Sequence, residues 1–427
     1  MVSETCTIDG FGPLPVVRPT SVADLGELVR RAAGDGQAIY PFGGQTQLGL
    51  GNPPTKPGIA VDMRELDRVI DFPARDMTVT VQAGITIAKL QALLAPENLR
   101  LPIDVPQPEK ATLAGILATN VSGPRRLGYG TLRDYVIGIS AVNNEGHEFK
   151  AGGRVVKNVA GYDLCKLLVG SLGTLGIITQ VTLKLRPLAE EAALVTLASY
   201  EQGLAALLDQ LYATRTRPVC LELLNRRSAE TIFFAARLTC PDAPWIVVIG
   251  FEGNADLVNW QVQQLVKELG AAHSLNVRIG AKAGWLWQSL SEWPAELDGT
   301  VVYQACAQPS AVVGLCQLVQ SKFPALAVHA HVANGIVRIA GEFMAVETYP
   351  AAKRFPPASV AKYFMDAFLD ALRDSRGNMS AVRCPHQWKS VVSVWGRPPA
   401  DLWLMRQVKC QFDPRGVFNP GRFVGGI

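Results

Sequence analysis

The stretch Pro41-Phe-Gly-Gly-Gln-Thr-Gln-Leu-Gly-Leu-Gly51 follows a short apolar run and holds four glycines in eleven positions. Glycine lets consecutive backbone N–H groups converge on an anion, so phosphate chemistry is the first question this stretch raises. A nucleotide-binding P-loop needs a lysine and a hydroxyl after its second glycine, whereas Gly44 to Gly49 is followed by Leu50 and Gly51. The dinucleotide fingerprint needs three spaced glycines opening a helix, whereas Gly49-Leu-Gly51 runs into Asn52-Pro53-Pro54. What remains is a strand leading into Gly43-Gly44-Gln45-Thr46, either a lysine-free backbone nest for a pyrophosphate or a plain surface turn. A second stretch, Val328-His-Ala-His-Val-Ala-Asn-Gly335, carries two histidines one residue apart. In a strand His329 and His331 share a face and could chelate a metal with His386 as third ligand. With five histidines in the chain and no carboxylate near them in sequence, a cap-domain surface position or a satisfied buried pair is the favoured reading, and no metal site is expected.

Composition limits what such residues can serve. A chain of 427 residues, 48% apolar and 18% charged, is too long for one core and too apolar for disorder. Two or three packed domains are expected, with an interior large enough for a sizeable cofactor. Basic and acidic residues number 41 and 37, and Arg125-Arg126 is only an isolated pair, so no footprint for nucleic acid is present. Eight cysteines never fall at C-x-x-C spacing, which removes the local pattern of zinc and iron-sulfur sites and reads as buried thiols in a reducing compartment. The opening MVSETCTIDGFGPLP has no targeting pattern, and no run of 18 apolar residues follows. A cytoplasmic protein is expected, with docking to a membrane complex left open.

The elements that must position these residues follow from periodicity. Ser21-Val-Ala-Asp24 forms a capping box, and Val22, Leu25, Leu28, Val29 and Ala32 fall at helical spacing until Gly34. Strands are expected at Ala38 to Tyr40, Ile59 to Asp62, Val69 to Phe72 and Met77 to Gln82, then a helix near Thr86 to Leu94. Short strands with few helices between them indicate an α+β domain rather than a doubly wound sheet. From about residue 193 strand and helix patterns alternate, which predicts a second α+β domain of ferredoxin-like type. Leu326 to His331 and Ile336 to Ala340 read as a hairpin within it, and the Pro-rich stretches Tyr349 to Pro357 and Arg397 to Pro399 as candidate boundaries.

Two further stretches bear on the glycine loop: PQPEKATLAGILATNVSGPRRLGYGTLRD at 106–134 and RVVKNVAGYDLCKLLVGSLGTLGIITQVTLKL at 154–185. With the loop, and with the tail VKCQFDPRGVFNPGRFVGGI at 408–427, they resemble the FAD-linked oxidase family, which has the FAD-binding domain of p-cresol methylhydroxylase and vanillyl-alcohol oxidase. Within it the chain is most similar to the E-type FAD subunits of bacterial glycolate oxidases. The resemblance implies an FAD-binding domain over 1–190, an α+β cap over 191–395, and a segment 396–427 that packs back on the first domain. It further implies FAD contacts from Pro41, Phe42, Gly43, Gly44, Gln45, Thr46, Pro106, Thr112, Gly115, Thr119, Asn120, Gly123, Ile177 and Ile178. Ala114 and Ser122 depart from the relatives' glycine pattern, and Leu172 stands where relatives often have glutamate. Tethering relatives place a histidine at or beside Gln45, and this chain has none between residues 1 and 146, so FAD is expected to be non-covalent.

Oxidising a 2-hydroxy acid on a flavin requires a cation for the carboxylate and a base or metal for the hydroxyl proton. Arg338 and Arg383, on expected cap strands, could clamp a carboxylate. With His329, His331 and His386 they are the catalytic candidates, although the His-x-Gly-Asp-Gly-Asn stretch of relatives is degenerate here and lacks its acid. The resemblance implies a subunit that passes electrons to partners, a second flavoprotein subunit and an iron-sulfur subunit of a glycolate-oxidising complex. The degenerate stretch leaves a non-catalytic FAD scaffold, or a stand-alone oxidase, as alternative readings.

Overall fold

A computed structural model describes residues 4–153, 163–270, 274–293, 295, 301–342 and 356–427. Lys157 and Tyr162 of the second motif, His273, and most of the stretch Tyr349 to Pro357 lie outside the described residues. The chain divides into two compact units, one of residues 1–121, 131–188 and 398–427, the other of 122–130 and 189–397.

The first unit holds two sheets. β1 (Thr5–Ile8), β2 (Phe11–Val17), β3 (Ala38–Phe42) and β4 (Gly58–Asp62) form the order β1-β2-β4-β3, with β2 and β3 both parallel to β4. Helix α1 (Val22–Gly34) makes the crossover from β2 to β3, and Ser21 caps it by accepting from the Asp24 N–H. Its stripe Leu25, Leu28, Val29 and Ala32 is buried, and each fully buried leucine or valine contributes roughly 1.5–3 kcal/mol. The second sheet has the order β5-β6-β10-β8-β9 and is antiparallel throughout. Its strands are β5 (Val69–Asp71), β6 (Thr78–Gln82), β8 (Val136–Val142), β9 (Glu148–Gly152) and β10 (Ile177–Lys184), while β7 (Leu99–Arg100) pairs with β11 (Arg186–Pro187) in a small separate ladder. Helices α2 (Ile87–Leu94), α3 (Leu113–Thr119) and α5 (Leu164–Leu168) are short, and the hydroxyls of Thr86 and Thr112 cap α2 and α3.

The tail returns to this unit. After helix α12 (Leu402–Phe412), the Asp413 carboxylate accepts from the N–H groups of Val417 and Phe418 and pairs with Lys409 at 2.6 Å. That closed turn seats Phe418, fully buried, beside Ile39 of β3.

In the second unit eight strands form one sheet in the order β15-β12-β14-β13-β17-β18-β16-β19. They are β12 (Glu191–Ser199), β13 (Cys220–Asn225), β14 (Trp245–Gly253), β15 (Leu275–Ile279), β16 (Val301–Cys306), β17 (Ala327–His331), β18 (Ile336–Gly341) and β19 (Asn378–Arg383). The ferredoxin-like expectation is met twice over. Numbered within each half, both quartets have the order 4-1-3-2, and they join through their second strands, β13 and β17. Helix α4 (Arg126–Tyr129) precedes these strands in the chain, and between them run α6 (Glu201–Tyr212), α7 (Arg226–Ala235), α8 (Ala255–Leu269), α9 (Ala281–Glu292), α10 (Val312–Lys322) and α11 (Pro357–Ala371). Alternate strand residues feed cores on the two faces, one including Leu223, Val247 and Phe364, the other Ile246, Phe233 and Trp287. Among the described residues no helix is long and apolar enough to cross a membrane.

Candidate functional site

In the first unit β3 delivers the glycine loop to the rim of a groove. A Cβ on Gly43 would stand 2.0 Å from Thr112 Oγ1, and one on Gly44 only 1.7 Å from the Lys110 carbonyl oxygen. Both glycines are therefore demanded by the close approach of segment 110–112, and the left-handed backbone falls instead on Gln45, with φ 60°. This refines the sequence reading, which placed the unusual conformation on the glycines. Among the described residues the N–H groups of Gly43, Gly44, Gln45 and Thr46 donate to no other group. Four donors at a concave turn suit a diphosphate.

The groove has two compartments that share Pro41, Phe42, Gly43, Thr112, Gly115 and Leu172. Gly44, Gln45, Thr46 and Thr119 line the first, and Ile177 and Ile178, at the start of β10, line the second. A long groove with polar donors in one part and apolar walls in the other is a shape a dinucleotide can fill. Pro106 is buried but does not line it. Asn120 caps α3 with φ 51°, outside the lining, and its Oδ1 is buried with no hydrogen-bond partner. Gly123 belongs to the segment grouped with the second unit.

The sequence reading missed Asn419 and Arg422. Asn419 donates to the Leu172 carbonyl at 2.6 Å. Arg422 pairs with Asp9 at 3.0 Å and donates to the carbonyls of Leu48 and Leu50, at 2.6 and 2.5 Å. Burial pushes the Arg422 guanidinium below its ordinary value, and Asp9 opposes that shift. The signal was present in the tail motif, whose asparagine and arginine went unassigned.

The second unit holds a separate polar cluster at the seam of its halves. Glu222 on β13 lies opposite His331 on β17, and its Oε2 is 2.6 Å from both His331 Nδ1 and His329 Nε2. All three side chains are about 1% exposed or less. Burial, more than the opposing Glu222 carboxylate, lowers His329 to about 4, so this imidazole is neutral at neutral pH. Trp293 meets the His329 ring edge-on at 5.4 Å, and His329 Nδ1 is buried without a hydrogen-bond partner. Arg338, opposite His329 on β18, donates to the Ser122 carbonyl at 2.7 Å and to Gln304 Oε1 at 3.3 Å. Burial lowers it to about 10, still cationic at neutral pH.

The third member of the histidine cluster is thus Glu222, which is distant in sequence, while His386 sits in an exposed turn. Arg383 ends β19 opposite Val302, half-buried. Two imidazoles and a carboxylate with donor atoms within 4.8 Å of one another form a set that fits a divalent metal such as zinc. To hold one, the 2.6 Å separations would open to about 3.3 Å, the spacing of tetrahedral ligands at 2.0–2.1 Å.

The fold and groove define a flavoprotein of the two-unit kind, an FAD cradle with an α+β cap. Residues 13–152 match the FAD binding domain, and residues 186–291 with 395–423 match the C-terminal domain of FAD linked oxidases. The chain belongs to the FAD-linked oxidase family and is an FAD-linked oxidoreductase. It is 30% identical over 256 residues to glycolate oxidase subunit GlcD of Bacillus subtilis, covering 59% of this chain and 54% of that one. Over 427 residues it is 25% identical to D-lactate dehydrogenase of Archaeoglobus fulgidus, covering 96% and 91%. To glycolate oxidase subunit GlcE of Escherichia coli it is 34% identical over 162 residues, 38% of this chain and 46% of that one. The chain thus aligns with only about half the length of either glycolate oxidase subunit. Alkyldihydroxyacetonephosphate synthase shares the fold, with a TM-score of 0.69 at 19% identity over 96% of this chain and 77% of that one.

Proposed function

We propose that the chain is the FAD-binding component of a dehydrogenase for small 2-hydroxy acids, of the glycolate-oxidising kind, holding FAD without a covalent bond. The observation that carries this is the row of four open N–H donors at Gly43 to Thr46, continuous with the apolar wall of Ile177 and Ile178. The substrate class is supported by relatives named as glycolate oxidase subunits and as D-lactate and D-2-hydroxyglutarate dehydrogenases. Bound FAD would supply the hydride acceptor. The chain's own residues divide the remaining work. Gly43 to Thr46 would neutralise pyrophosphate charge through fixed dipoles, and Ile177 with Ile178 would keep water from the apolar compartment. In the cap, Glu222, His329 and His331 would hold a metal that polarises a substrate hydroxyl, or themselves take its proton, while the Arg338 charge favours a carboxylate.

Electrons would leave through partners, a second flavoprotein subunit and an iron-sulfur subunit. Support comes from the absence of C-x-x-C spacing in this chain and from relatives that are themselves subunits. A second reading, a non-catalytic FAD scaffold, is favoured by the closure of the cap cluster: His329, His331 and Arg338 are 0, 1 and 8% exposed, and Arg338 is held by Ser122 and Gln304. Anaerobic mixing of the purified yellow chain with glycolate or D-lactate separates the two. Bleaching without partners establishes a catalytic subunit, bleaching only with the second flavoprotein subunit establishes the scaffold, and a colourless chain that takes up no FAD overturns both.

A further inference from the structure

A second polar cavity lies in the cap, away from the glutamate–histidine seam, at the β15 margin of the sheet. It measures about 380 Å³ and is lined by Thr196 of β12, Arg278 and Asn276 of β15, Thr239 in the turn after α7, and Lys282 in the first turn of α9. Arg278 is 7% exposed, yet its partners are a neutral hydroxyl and a ring: Nη1 donates to Thr196 Oγ1 at 2.8 Å, and the guanidinium carbon lies 5.3 Å from the Phe233 ring centre. Among the described residues no carboxylate pairs with Arg278 or Lys282. The nearby acids Asp242 and Glu230 are both held by Arg226. Buried cations are normally paired, and the cost of desolvating one is offset when an anion sits against it.

The helix behind Lys282 adds to the same sign. α9 runs for 12 residues from the N-cap Gly280, which has no side chain to satisfy the first N–H groups. Lys282 of its first turn lines the cavity, so the positive end adds to two cations and the Thr239 hydroxyl. We propose that this cavity binds the phosphate group of a small molecule, with Arg278 and Lys282 sharing its two negative charges and Thr239 donating to its oxygens, while Thr196, whose hydroxyl donates to the Asn276 carbonyl at 3.4 Å, orients Arg278. A tetrahedral dianion uses donors arriving from several directions, whereas a planar carboxylate would leave part of the set unused. None of its lining residues lines the FAD groove.

Calorimetric titration of the FAD-loaded chain with inorganic phosphate, at constant ionic strength in chloride, tests this. With the FAD groove already filled, one saturable phosphate site is expected. Lys282→Gln, at an exposed position that leaves packing intact, should weaken it by about tenfold or more, the effect of losing one charged contact. Arg278→Gln should abolish it while the flavin spectrum stays that of the parent. Absence of saturable binding, or unchanged affinity in Lys282→Gln, overturns the site. Malonate binding as tightly as phosphate overturns the assignment to a tetrahedral dianion.

Discussion

Glu222 and His331 face each other across the β13–β17 ladder, carboxylate to imidazole at 2.6 Å, at the point where two ferredoxin-like halves meet. The same Oε2 reaches His329 at 2.6 Å, so one carboxylate oxygen lies against two imidazoles inside a buried seam. Its position answers a puzzle in the sequence, where the histidine pair stands without the acid its relatives carry. The acid is supplied from 107 residues upstream, by strand pairing.

A pH signature follows from His329. Its folded value of about 4 lies below the ordinary 6.5. Above pH 6.5 neither state holds the extra proton and no penalty exists. As pH falls from 6.5 toward 4 the unfolded chain binds a proton that the folded chain refuses, so stability is lost at up to about 1.4 kcal/mol per pH unit. Urea midpoints measured at pH 7 and pH 5 should fall further for the parent than for His329→Gln. Equal falls would mean that His329 titrates normally in the folded protein.

The glycine loop predicts an all-or-none effect at one position. Gly44→Ala would drive a methyl into the Lys110 carbonyl at 1.7 Å, and backbone there cannot step aside as a side chain can. Flavin absorbance per chain should drop to near zero in this variant. Gly49→Ala, whose methyl would meet only Asp9 Oδ1 at 3.9 Å, should keep its FAD. Retention of flavin by Gly44→Ala would remove this loop from the cofactor site.

How much of this could be read from sequence depends on the range of each interaction. The Ser21 cap, the α1 stripe and the β17–β18 hairpin are local, set by side chains within a few residues, and the structure has them where the pattern placed them. Glu222 was invisible because Cys220 to Leu224 reads only as a buried strand, and nothing local tells which strand pairs beside it. Arg422 escaped for the same reason: its acceptors Leu48 and Leu50 lie more than 370 residues away. The doubling of the ferredoxin-like plait was likewise hidden, since repeated strand and helix patterns do not state their spatial order.

Non-covalent FAD has a direct check. Gln45 stands in the loop where tethering would need a histidine, and the nearest downstream histidine, His147, lies in the exposed turn between β8 and β9. Acid precipitation of the yellow protein should leave all flavin in the supernatant. Flavin fluorescence that stays with the precipitated chain would require an attachment point elsewhere.

Arg422 ties the tail to the glycine loop, and its removal should cost both stability and cofactor. Arg422 is 5% exposed, faces Asp9, and fixes the carbonyls of Leu48 and Leu50, which follow the Gly43–Thr46 turn. Arg422→Met keeps the length of the side chain and removes the charge and the donors. Because losing one partner of a buried ion pair typically costs about 3–5 kcal/mol, the variant should unfold at markedly lower urea. Its FAD affinity should fall by about tenfold or more, since the loop loses two of its anchors. Arg422→Lys separates the two effects: it restores a cation opposite Asp9, but a compact ammonium lacks the planar fork that reaches Asp9 and both carbonyls together. Recovery of stability without recovery of FAD affinity in Arg422→Lys would show that the geometry of the loop, and not the charge alone, holds the cofactor.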